Sequence, residues 1–263
     1  MKSHQNHPLN MAKGFMREYA KNFKEILGAI LVGSASFGVK DEFVDIDIIV
    51  YADKESVKER KANGKGYNET YKFKGTEICI DWNPIQKLEE NVSNGKDDEA
   101  LWVFSNTKII YDPKGTIKKL LNKIRPYPKE LRRKKIFLHF YLLKAILENC
   151  EKAILRREML TAAFLIHKAV DELSYLTFIL EGCFVPYPKW RFYFMNKLSL
   201  GKKLLPKIET VLCIKKLSKE ELTRKLDGLN EVIEGLKPHL CEAGIPKQWL
   251  GSEWWKYEPD WDV

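Results

Sequence analysis

The hydrophobic pattern of this chain changes character near residue 125. Up to about residue 125, short apolar runs alternate with polar residues and turn signals. Beyond Pro126 and Pro128, apolar residues recur at helical spacing almost without interruption. A sheet and a helical bundle bury their apolar faces in different layers, so such a chain builds two cores. The expected fold is an α+β N-terminal domain over residues 1–125, a mixed sheet with flanking helices, followed by an all-α helical bundle over 126–263. The 263 residues suffice for one large domain or two small ones. An apolar fraction of 44% and an aromatic fraction of 12% exclude a disordered chain.

In the first part, residues 11–27 show helical spacing, with Phe15, Tyr19, Phe23 and Ile26 on one stripe and Gly28 breaking it. Ala29–Val32 reads as a buried strand, and Gly33 and Gly38 bracket a tight loop. Asp45–Tyr51 is a second strand, and residues 53–64 a short helix or loop. Tyr67–Lys74 and Glu77–Trp82 form a hairpin turning at Lys74-Gly75. Lys108–Tyr111 is a further strand, with a helix running on to about Ile124. The second part predicts helices near 129–156, 159–181, 188–199, 203–214 and 218–236, and an aromatic tail, 249–257, that packs back on the body.

Two features of the first part carry chemistry. Side chains alternate along a strand, so Asp45 and Asp47 present both carboxylates on one face. Both charges alternate with apolar residues, and like charges that close repel unless a cation neutralises them. Mg²⁺ is the expected ion, since it takes hard oxygen ligands together with phosphates and water. A third carboxylate would complete a two-ion site, with ions about 3.5–4 Å apart. Asp81, ending the apolar run Ile78-Cys-Ile-Asp, is the first choice and Glu77, on the same face, the second. Twelve residues before Asp45 lies Gly33-Ser34. Its backbone N–H groups suit phosphate oxygens, and the small residues let the backbone approach. Lys40 adds a positive charge nearby. A phosphate cradle beside a metal clamp points to nucleotide chemistry.

At these residues the chain resembles the nucleotidyltransferase superfamily related to DNA polymerase β. Gly33, Ser34, Gly38, Asp45 and Asp47 match that pattern in type and spacing, and the family's third carboxylate corresponds to Asp81. Ile109–Gly115 looks like the closing strand and turn of the small bacterial members. The two-part plan is similar to antibiotic nucleotidyltransferases and to uncharacterised relatives, whose Pro-aromatic-Lys-Trp segment Tyr187-Pro-Lys-Trp190 resembles. Ala35 and Val44 depart from the polar residues often found there. The resemblance implies an enzyme that moves a nucleoside monophosphate from an NTP such as ATP, with two Mg²⁺ ions, onto a hydroxyl of a small molecule, antibiotics among them. It places metal on Asp45, Asp47 and Asp81, and nucleotide on Gly33, Ser34, Gly38 and Lys40. A carboxylate of the helical half, Glu172 or Asp171, serves as general base.

The helical half should carry the acceptor. His167 and Asp171 share a helix face at i, i+4, and Lys189, Trp190 and Arg191 suit a cleft wall. A net charge of +9 tilts toward a neutral or anionic acceptor rather than a polycation. With the basic run Arg132–Lys135, it also keeps RNA or protein open as acceptor. A module that binds nucleotide without turnover is the third reading. Five scattered cysteines without a Cys-x-x-Cys pair argue against a zinc site and for free thiols in the cytoplasm. The polar N-terminus lacks an apolar signal core, and no apolar stretch is long enough to span a bilayer, so no membrane partner is expected.

Overall fold

The computed structural model describes residues 7–38, 45–64, 68–124, 127–251 and 253–262. The chain divides into two compact units, Met1–Pro126 and Tyr127–Val263.

The first unit opens with helix α1 (His7–Tyr19), a single 3-10 turn at Ala20–Asn22, and strand β1 (Ile26–Val32). The helical stripe expected through residue 27 thus ends earlier. Phe23 is already extended, at φ −139° and ψ 93°, but its ring still packs 4.7 Å from Tyr19 and 5.6 Å from Trp82. The stripe is a packing pattern that outlasts the helix. Gly28 does not interrupt the strand. A Cβ there would lie 2.3 Å from Cγ1 of Ile117, so glycine makes room for a neighbouring helix.

Gly33–Phe37 is one helical turn, α2, rather than a loop, and Gly38 closes it at φ 72°. Then follow β2 (Ile46–Ala52), α3 (Lys54–Ala62), β3 (Asn68–Phe73) and β4 (Thr76–Pro84). Lys74 and Gly75 both take positive φ, the two-residue turn that matches the twist of a hairpin. Two helices that the sequence reading left unassigned come next, α4 (Ile85–Asn94) and α5 (Asp98–Asn106). Gly95 ends the first in the left-handed region, and Asp97 caps the second by accepting the Ala100 N–H at 2.9 Å. Strand β5 (Lys108–Tyr111) and helix α6 (Thr116–Leu121), shorter than expected, complete the unit.

Among the described residues the strands form one mixed sheet in the order β3-β4-β2-β1-β5. The β2–β4 pair is parallel, and the other pairs are antiparallel. Alternation divides the sheet cleanly. On one face, Leu31, Ile46, Ile48, Val50, Ile78, Ile80 and Trp82 are buried with Ala12, Phe15, Met16 and Tyr19 of α1. The other face carries Asp47 and Cys79, each half-buried, and Asp81 beyond them.

The second unit is helical: α7 (Lys129–Leu155), α8 (Met159–Leu180), α9 (Pro188–Met195), α10 (Ser199–Leu212) and α11 (Lys219–Glu242). Contacts of Cys150 with Ala162 and of His139 with Glu172 show that α7 and α8 run antiparallel. The helix expected to end near 236 continues through Pro238. Leu236 and Leu240 are both buried, and that packing outweighs the backbone hydrogen bond a proline removes. Likewise α10 begins at Ser199 and contains Pro206. The tail does pack on its unit. Trp249 lies 4.3 Å from Phe137, and Trp254 donates to Glu148 at 2.9 Å. Among the described residues no helix is long and apolar enough to cross a membrane.

Candidate active site

Strand register builds the acidic site. Antiparallel pairing of β1 and β2 puts Val32, the last residue before Gly33, across from Asp47. Parallel pairing of β2 and β4 puts Cys79 across from Asp47 on the other side. Ligand atoms of Asp45, Asp47 and Cys79 lie within 4.8 Å of one another. Asp45, just ahead of β2, is exposed, whereas Asp47 and Cys79 are half-buried.

Gly33 meets the Asp47 carboxylate directly. It sits at φ +68°, and a Cβ would fall 2.3 Å from Asp47 Oδ2. Only glycine combines that backbone conformation with that approach. The chain then turns into α2, whose opening amides have no carbonyl four residues earlier to bond. Ser36 Oγ donates to the Gly33 carbonyl at 3.0 Å, and the Phe37 ring packs 4.5 Å from Trp102 of α5. These contacts fix the turn beside the aspartates. Ser34 is buried, and Gly38 is exposed with open space around it. Lys40 lies outside the described residues.

Asp81 shares the face but stands across from Ile49, one alternation beyond Cys79. It accepts from Asn83 Nδ2 at 2.6 Å, and Asn83 Oδ1 accepts from Lys87 Nζ at 3.2 Å. Burial, and then the Asp81 charge, push the Tyr51 phenol well above its ordinary pKa. Glu77, the second choice for a third ligand, is exposed on the other side of Cys79. The cluster of converging ligands among the described residues therefore contains Cys79 and neither of the two β4 carboxylates. Burial pushes the Cys79 thiol up, the Thr70 side chain lowers it by hydrogen bonding, and the charges of Asp47, Asp45 and Glu77 raise it further. A bound cation would reverse the effect of those charges.

In the second unit, Glu172 accepts or shares a hydrogen bond with His139 Nδ1 at 2.8 Å. The His139 ring stacks on Tyr175 at 4.7 Å. Asp171 pairs instead with Arg191, which is 2% exposed and lies 4.2 Å over the Tyr175 ring. His167 is exposed, at the opposite end of the i, i+4 pair from the Arg191 contact. Lys189 is also exposed, near the Trp190 ring. Arg191, expected on a cleft wall, is buried among these contacts. The sequence reading missed His139, which comes from α7, 33 residues before Glu172.

A family model described as "Domain of unknown function (DUF4037)" matches residues 95–191, from the end of α4 through the Asp171–Arg191 pair. No curated protein matches the chain. Among solved structures the chain is similar to one described as a nucleotidyltransferase-like protein from Exiguobacterium sibiricum 255-15. The TM-score is 0.54 at 16% identity, over 89% of this chain and 77% of that one. The fold is nucleotidyltransferase-like. At such identity the likeness concerns architecture: a mixed sheet with flanking helices, then a helical unit.

Proposed function

We propose that the protein is a divalent-cation-dependent nucleotidyltransferase that moves a nucleoside monophosphate from an NTP to a hydroxyl of a small molecule. The observation that carries this reading is the contact of Gly33 with Asp47, which sets a helical turn's first amides beside two converging carboxylates. The donor set fits a cation: Asp45 and Asp47 offer oxygens on one side of the sheet, and the cradle left by the missing Cβ of Gly33 is filled by a carboxylate. A divalent cation held there would neutralise the aspartates and polarise the phosphates of the triphosphate.

The chain's own residues supply the rest. Backbone N–H groups after Gly33 hold phosphate oxygens, the role for which helix-opening amides are suited. Asp45 and Asp47 would hold that cation, and Asp81, tied to Asn83, is a further carboxylate on the same face that would suit a second ion. Positioning and charge stabilisation of this kind supply most of the barrier reduction in such transfers. Within the helical unit, Glu172 is the candidate general base, its carboxylate held 2.8 Å from His139 Nδ1. Asp171 is less suited, being engaged by Arg191.

The test is a pyrophosphate-release screen of NTPs against antibiotics, sugars and tRNA. Release with a small-molecule hydroxyl, lost in Asp45→Asn/Asp47→Asn, is the expected result. Full turnover in that double variant sinks the reading. Release with tRNA alone replaces the small-molecule acceptor with RNA.

A further inference from the structure

At the aspartate pair the neighbouring strand presents sulfur. Three ligands of one cation must converge, and the residue of β4 that converges with Asp45 and Asp47 is Cys79. Neither Glu77 nor Asp81 of that strand belongs to the converging group. Residues across from Asp47 and Ile49 are Cys79 and Asp81, so Asp81 lies a full alternation along the strand, and Glu77 lies a full alternation the other way. Gly33 supplies an independent constraint. Its missing Cβ admits Oδ2 of Asp47, which fixes that carboxylate at the end of β1 while Cys79 borders it from β4. Thr70 of β3 stands across from Cys79 on its other side in the strand register.

We propose that Asp45, Asp47 and Cys79 form a mixed carboxylate–thiolate site that holds a thiophilic divalent cation of the Zn²⁺ class in preference to Mg²⁺. The proposal rests on the aspartates being the cation site of the function proposed above, and it names the cation class that site takes. Mg²⁺ prefers an all-oxygen octahedron and gains little from sulfur. Thiolate ligands select softer metals, and affinity rises from Mn²⁺ toward Zn²⁺. On binding, a metal–sulfur bond forms and the thiol proton leaves to solvent, with no change of oxidation state. The wide spacing of the cysteines hides such a site from the sequence, because its other two ligands are aspartates on a different strand.

The experiment uses the full chain, stripped with chelator and titrated with Cd²⁺ in the absence of nucleotide. Cadmium bound to thiolate gives an ultraviolet charge-transfer absorption that oxygen ligands do not. The expected result is a band saturating at one equivalent, kept in Cys213→Ser and lost in Cys79→Ser. Cadmium affinity should fall about 10–100-fold or more in Cys79→Ser, since changes one shell farther out already cost that much. Cys79→Asp guards against a misfolded serine variant: it should lose the band while gaining affinity for Mg²⁺. A full band in Cys79→Ser, or wild-type protein binding Mg²⁺ as tightly as Cd²⁺, overturns the proposal. A Cys79-dependent band without NTP turnover under any cation keeps this site and removes the transferase reading. Turnover with Mg²⁺ and no Cys79-dependent band does the reverse.

Discussion

The two faces of the N-terminal sheet both carry carboxylates, but they treat them differently. On the α1 face, Glu69 is enclosed. It pairs with Arg60 and accepts from Tyr19 at 3.0 Å and from Tyr71 at 2.5 Å. Trp82 Nε1 donates to Tyr19 at 3.3 Å, and Arg60 lies 4.0 Å over the Trp82 ring. The acid there has an internal cation and a full set of donors. On the opposite face, the ligand atoms of Asp45 and Asp47 converge with the Cys79 thiol. A buried charge with a built-in partner ties elements together; acids gathered on one another raise the local cost and suit an outside cation. The lesson is that the kind of neighbour, more than the number of acids, separates the Glu69 knot from the cation site proposed at Asp45 and Asp47.

The comparison breaks most easily at Arg60. Its side chain is 7% exposed and that of Glu69 16%, so Arg60→Ala leaves a carboxylate stranded and should cost about 3–5 kcal/mol of stability. Denaturant unfolding measures this, and cation binding at Asp47 should be unchanged in the surviving folded protein. A loss of both would mean that the faces are not independent.

The same pair sets an acid limit. Burial raises the Glu69 pKa, but hydrogen bonds from Tyr71, Arg60 and Tyr19 outweigh it and hold the carboxyl below its ordinary value of 4.5. A depressed folded value means that this stability is complete above 4.5 and is lost as pH falls through the folded pKa. Arg60→Ala should flatten that acid limb of the unfolding midpoint.

On the other face, Gly33→Ala should cost about 1–2 kcal/mol for the left-handed backbone alone. It should also push the Asp47 carboxylate from its place. Cation affinity should therefore fall by more than the stability loss explains, the pattern that Arg60→Ala should not show. The smallest expected effect is at Asp53, which caps the helix that carries Arg60 by accepting the Ser56 N–H at 2.9 Å. Asp53→Ala should lower stability by about 1 kcal/mol and leave the acidic site untouched.

What could be read in the sequence follows from how local each feature is. Alternation alone put Asp45 and Asp47 on one face and set Ile78 and Ile80 against Cys79 and Asp81. It could not choose between Cys79 and Asp81, because residues two apart look alike to a period of two. Only the pairing of β2 with β4 decides which one meets Asp47, and that pairing joins strands separated by a helix and a third strand. The turn at Gly33–Phe37 is too short to show a helical period. Helices α4 and α5 leave only short marks, the closing Gly95 and the capping Asp97, with no long apolar stripe beside them. The His139–Glu172 pair joins two helices and has no local signal. In α11, Pro238 locally argues for a stop, and the buried Leu236 and Leu240 override it.

The central claim is that the Asp45–Asp47 face binds a cation together with a triphosphate. Calorimetric titration of the full chain with Mn²⁺–ATP, in wild type and in Asp45→Asn/Asp47→Asn, tests it most directly. The account predicts saturable binding in wild type that is lost in the double variant, whose thermal midpoint stays the same or rises as the carboxylate repulsion is removed. Equal binding by the two proteins would contradict it.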